Sequence, residues 1–226
     1  MRRTLIGSLL IAIPLLSILA LSLGGCGAIK RFMYSGFDRE EWQHPDEVVA
    51  ALGLSAGDQV ADLGAGGGYF TFRLAEAVGE HGKVYAIDVD PDMLEYIEAT
   101  AAQKGLFQVF TLLGEASDPG LPDHSVDLIF ISNTFHHLPE RIDYFRNARA
   151  SLKEGGRIAV VELSENSFPA GHFTPPETIV TEMGEAGYRR SAHHEFLPRQ
   201  SFQIFEVVDG PADAFDGDSD SDSDGK

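Results

Sequence analysis

The chain has 226 residues, 35 acidic and 17 basic, giving a formal charge of −18; 43% of it is hydrophobic and 10% aromatic. That apolar share excludes a disordered or collagen-like chain and suffices for one packed domain, while the acidity argues against a nucleic-acid partner, since Lys and Arg are what hold phosphates. The single cysteine, Cys26, excludes an internal disulfide and any Cys-x-x-Cys metal or redox site.

Arg2 and Arg3 precede an apolar stretch from Leu5 to Leu23, and no further charge follows until Lys30. A basic start, an apolar middle and small residues read as an export signal over residues 1–25. The stretch ends in Leu23-Gly24-Gly25-Cys26, which resembles a bacterial lipobox. The resemblance implies cleavage before Cys26 and lipidation at that residue, with each buried CH₂ of the acyl chains contributing about 0.8 kcal/mol to membrane anchoring. Two alternatives stay open: an uncleaved membrane anchor, for which the run is nearly long enough, and a cysteine that follows the run by chance. Lipoprotein and anchor both put the body outside the cytoplasm, on the periplasmic face of a bacterial envelope, because Arg2 and Arg3 favour the inner side. Residues 26–45 read as linker and pre-helix.

In the body, residues 46–208, short β-rich runs alternate with helical stretches. Asp46 to Leu54 is apolar at helical spacing. Val60–Leu63 is a brief strand, followed by glycines and a helix from Tyr69 to Val78. Val84–Asp88 is the next strand. Asp90-Pro91 starts a helix, as N-cap acceptor and N1 proline, and Gly105 stops it after Lys104. Val109–Leu113, Val126–Ile131 and Arg157–Val161 are further strands; a helix over Pro139–Leu152 stands between the last two, ended by Gly155-Gly156. Another helix covers Glu177–Ala186, and Arg189–Phe196 with Ser201–Val208 close the fold. This alternation predicts an α/β fold: a seven-stranded, Rossmann-like, mostly parallel sheet with helices on both faces and the last strand antiparallel. Ligands then sit beyond the carboxyl ends of the strands, near the first. From Asp209 onward seven aspartates, mixed with Gly and Ser, form a low-complexity tail over residues 209–226 that cannot build a core.

The strongest local signal is Asp62-Leu63-Gly64-Ala65-Gly66-Gly67-Gly68, at a strand end and opening a helix. Glycines there let a ligand lie against the main chain, and the helix start offers free N–H groups. Two nucleotide fingerprints fail: Tyr69 stands where Gly-x-Gly-x-x-Gly needs its last glycine, and no Gly-Lys-Ser/Thr follows. The pattern Asp62-x-Gly64-x-Gly66-x-Gly68 instead resembles motif I of the class I S-adenosylmethionine (SAM)-dependent methyltransferases. The resemblance implies SAM as cofactor, held by Asp62, Leu63, Gly64, Ala65, Gly66 and Gly68. It further implies Asp88 on the ribose hydroxyls, Val89 and Met93 beside the adenine, and Glu115 with Ala116 at the adenine amino group. Leu152-Lys153-Glu154-Gly155-Gly156 and Asn133-Thr134-Phe135-His136-His137-Leu138 also resemble the family, closest to its ubiquinone/menaquinone C-methyltransferase branch. Glu115 in place of Asp and Glu154 in place of Pro depart from the pattern, yet a longer carboxylate still reaches an amino group. Asn133 joins the cofactor set.

Methyl transfer needs a nucleophile held in line with the reactive methyl and, where the acceptor is a weakly acidic O–H or C–H, a general base. His136 and His137, at the mouth of the expected site, and His172, in the following loop, are the candidates; packing roles for each stay open, and His193-His194 read as structural. With one cysteine and no Asp–Asp–Asn triad, neither arsenite chemistry nor a metal is expected. A small-molecule acceptor is expected, and a lipophilic one suits a lipid-anchored enzyme. Because SAM is made in the cytoplasm, a third arrangement keeps the domain inside on an inverted anchor. The rival of a different class is a non-catalytic lipoprotein of this fold that binds a nucleoside-like ligand or an envelope partner.

Overall fold

The computed structural model describes residues 39–115, 117–165 and 172–208. The export signal, Cys26, Ala116 and the acidic tail lie outside the described residues. The seven strands are β1 (Gln59–Leu63), β2 (Lys83–Asp88), β3 (Val109–Leu113), β4 (Val126–Ser132), β5 (Leu152–Leu163), β6 (Tyr188–His194) and β7 (Gln200–Val207). The helices are α1 (Arg39–Gln43), α2 (Pro45–Ala51), α3 (Thr71–Val78), α4 (Pro91–Lys104), α5 (Arg141–Ala148) and α6 (Pro176–Glu185). Among these none is long and apolar enough to cross a membrane.

The strands form one sheet in the order β3-β2-β1-β4-β5-β7-β6. β1 pairs in parallel with both β2 and β4, and β7 runs antiparallel to its neighbours β5 and β6, as the sequence predicts. Successive strands build outward in opposite directions from β1, so the order reverses between β1 and β4, where an open α/β sheet leaves a crevice. Period-two alternation gives the sheet two buried faces. Ala61, Ile129, Ile131, Ile158 and Val160 pack with Tyr144, Phe145, Ile179 and Met183 of α5 and α6. Val60, Val84, Leu128, Phe130 and Ala159 pack with Val48 of α2 and with Leu74 and Val78 of α3.

The two largest departures from the predicted boundaries adjoin each other, the remainder being smaller. The helix expected to reach Leu152 ends at Ala148 and passes through a 3₁₀ turn, Arg149–Ser151. The carbonyls of Ala150 and Ser151 accept the amides of His124 and Ser125, so bonding to the start of β4 replaces further helical bonds. β5 then begins at Leu152, five residues early, with the Gly155-Gly156 turn carried inside it as a register shift between Leu152 and Arg157. The pre-helix region contributes α1, whose buried Gln43 donates from Nε2 to Ser132 Oγ at the end of β4, 2.9 Å away.

Candidate active site

Leu63 ends β1 beside Ile87, and the chain then turns sharply. The amides of Gly64 and Ala65 both donate to the Ile87 carbonyl, at 2.8 and 3.0 Å, binding the loop to β2. Gly64 has φ +77°, and a Cβ built on it would lie 2.1 Å from Thr134 Oγ1. Only glycine permits both that backbone and that approach. Gly68 (φ +79°) is likewise closed in by Phe72 and Ile97.

Two carboxylates hold the loop. Asp62, 2% exposed, accepts from Thr71 Oγ1 at 2.6 Å, so the acid at the end of β1 ties down the first residue of α3 across the glycines. Burial pushes its carboxyl up to about 6; the Thr71 hydrogen bond opposes the rise, the negative charge of Asp88 adds to it, and the Arg39 guanidinium opposes it. Asp88, at the tip of β2, accepts from the Gly66 amide (2.7 Å) through Oδ2 and from the Asp90 amide (2.9 Å) through Oδ1. Each carboxylate oxygen retains acceptor capacity for a ligand hydroxyl. Asp90 caps α4 through the Asp92 amide, with Pro91 at its first position.

Around this cradle, Val89 (71% exposed) and Leu113 (63%) present apolar surface at the ends of β2 and β3, and Glu115 is exposed just beyond. Met93, expected beside a ligand ring, is instead buried in the fold. Asn133 (φ +53°) turns the chain after β4, its amide donating to the Val161 carbonyl and its Oδ1 accepting from Gln200 Nε2 at 2.7 Å. That turn sets Thr134 against Gly64.

Three histidines from two parts of the chain meet. His136, His137 and His172 each offer a ring nitrogen within 4.8 Å of the others. His136 lies in a 3₁₀ turn (Phe135–His137), and Glu162 of β5, wholly buried, fixes it. Glu162 Oε1 accepts His136 Nδ1 at 2.9 Å and the Leu163 amide at 2.8 Å, and Oε2 accepts the His136 amide at 3.3 Å. An acceptor held by backbone N–H groups makes Nδ1 the protonated nitrogen, leaving Nε2 with a lone pair. Burial, then His136 and His172, lower the pKa of His137. His193 and His194 lie in β6 at the edge of the sheet, away from this cluster in strand order.

Sequence reasoning missed four residues. Glu162 sits in an apolar strand, a buried acid that its strand neighbours do not announce. Gln200 and Ser201 start the antiparallel β7, which brings its amino end to the carboxyl ends of the parallel strands. Arg39 of α1 packs its guanidinium 3.9 Å from the centre of the Tyr69 ring, beside Asp62.

A glycine turn at the end of the first strand, an acid at the tip of the second and a sheet that reverses between β1 and β4 define a binder of nucleoside-type cofactors. A methyltransferase domain family matches residues 60–156. A SAM-dependent methyltransferase of known structure from Aquifex aeolicus superposes with a TM-score of 0.72 at 30% identity, over 79% of this chain and 97% of that one. Aklanonic acid methyltransferase DauC of Streptomyces sp. (strain C5) is 35% identical over 54% of each chain, and a demethylmenaquinone methyltransferase of Geobacillus stearothermophilus is 29% identical over 53% of this chain and 51% of its own. The chain thus spans about half the length of these curated relatives. It belongs to the SAM-dependent methyltransferases.

Proposed function

We propose that the protein transfers a methyl group from SAM to a small, lipophilic acceptor while tethered to a membrane through Cys26, on the periplasmic side of a bacterial envelope. The observation that carries the transfer is the convergence of three strand ends: the glycine turn after β1, the Asp88 carboxylate on β2 and the histidines after β4. The cradle fits the cofactor in one respect the structure shows: Asp88 keeps acceptor capacity beyond its two amide bonds, at the glycine turn it braces. Asp88 would hold the ribose hydroxyls, Val89 and Leu113 the adenine faces, Glu115 the adenine amino group, and Asp62 with Arg39 the charged amino-acid end. SAM supplies an electrophilic methyl on a sulfonium. The histidine cluster, with Gln200 and Asn133, would face the acceptor.

For the acceptor, the relatives' names point to aklanonic acid and demethylmenaquinone, organic molecules rather than macromolecules, and a net charge of −18 disfavours nucleic acid. The test is incubation of the full chain with methyl-labelled SAM and a bacterial lipid extract. Label should move into an organic-soluble product, and Asp88→Ala should sharply reduce the transfer at low SAM concentration. Tight SAM binding with no transfer to any extract fraction would favour the non-catalytic alternative.

A further inference from the structure

We infer that His136, His137 and His172 form a binding site for one divalent transition-metal ion, of the zinc class, with a fourth coordination position open to an oxygen ligand. Three imidazoles with an open position are the donor set of catalytic zinc centres. The three ring nitrogens lie within 4.8 Å of one another. A tetrahedral ion about 2.1 Å from each nitrogen needs them about 3.4 Å apart. His137 and His172 are exposed, so closing to that spacing would fall to their side chains, whereas His136 is held by Glu162.

The fixed member carries the argument. The His136 side chain is only 9% exposed, and its Nε2 is buried without a hydrogen-bond partner among the described residues. Leaving a buried polar nitrogen unpaired is costly, a cost that coordination would remove. Its other nitrogen donates to Glu162 at 2.9 Å. A carboxylate that receives the far N–H of a ligating imidazole is the arrangement that fixes the tautomer and raises basicity at metal sites. Glu162 is itself wholly buried, and a dication on His136 would balance that carboxylate through the ring. A ring stacked for packing alone has no need of a buried acid oriented by two backbone amides. The set has no local spacing signature, because His172 lies 35 residues beyond His137.

The site stands where β4 and β5 end, on the same side of the sheet as the glycine turn. Its use in holding an acceptor oxygen rests on the preceding reading; its affinity for metal does not.

The test uses the full chain, stripped with a chelator and titrated with cobalt(II) alone, then with zinc. One equivalent of cobalt should develop the intense visible bands of four-coordinate nitrogen ligation, and zinc should displace them. His172→Ala, at an exposed loop position, should abolish the bands, while His81→Ala leaves them unchanged. Glu162→Gln should weaken zinc binding about 10–100-fold. The aspartate-rich tail is the competing source of cation binding and would give weak six-coordinate bands. Such bands, binding that survives His172→Ala, or no saturable binding would each overturn the inference. SAM titrations on the same proteins keep the two readings apart: a parent that binds cobalt as described but no SAM contradicts only the proposed function.

Discussion

Asp62 stands in a conflict that a ligand would resolve. A carboxyl raised to about 6 by burial holds its proton in the folded chain at a pH where the unfolded chain has released it. Stability from this group is fully present below the ordinary carboxylate range and is lost as pH rises through about 6, a cost of roughly 3 kcal/mol at neutral pH. Asp62→Asn keeps an acceptor for Thr71 and removes the charge. It should therefore raise the melting temperature of the cofactor-free protein at pH 7, flatten its pH dependence between about 4 and 6, and weaken SAM binding; thermal melts across that range check it. Gly64→Ala should act oppositely. The positive φ alone costs about 1–2 kcal/mol, and the overlap with Thr134 adds to it, so chemical denaturation should show a lower midpoint and SAM binding should disappear. Both residues are legible in the sequence because a strand-end acid and a run of glycines have few other uses. Glu162 and Gln200 are not, since their roles come from the neighbours that β4, β5 and β7 bring to them.

The strands are legible to within two residues, the start of β5 excepted, because period-two alternation of Val, Ile, Leu and Phe sets both their faces; β3 lies where the sequence puts it. Helix ends are less so. The end of α5 is decided by the amides of His124 and Ser125, which no local pattern contains. A pre-helix is expected in this region, but the bounds of the short α1 are not legible, since five residues, three of them charged, carry no periodicity. Its attachment rests on Gln43, buried and bonded to Ser132. Gln43→Ala should lower stability by about 1–3 kcal/mol, read by denaturant titration. It should also loosen Arg39 from the glycine turn and so weaken SAM affinity. A variant as stable as the parent would show that α1 merely rests on the body.

Across the whole chain, the sheet positions an electrophile's cradle and an imidazole cluster on one side, and the two termini lie outside the described residues. The tether is therefore tested chemically: a palmitate analogue fed to cells should label the parent and not Cys26→Ala, and equal labelling would remove Cys26 as the anchor. What joins fold to function is the carboxyl end of β1 and β2, where Asp88 accepts from the Gly66 amide of the glycine turn. Calorimetric titration of the detergent-solubilised full chain with SAM tests this most directly. The account predicts a single site of micromolar affinity that weakens in Asp88→Ala by about 1.5–3 kcal/mol, the worth of a hydrogen bond to a charged group. An affinity that Asp88→Ala leaves unchanged, or no binding to the parent, would contradict it.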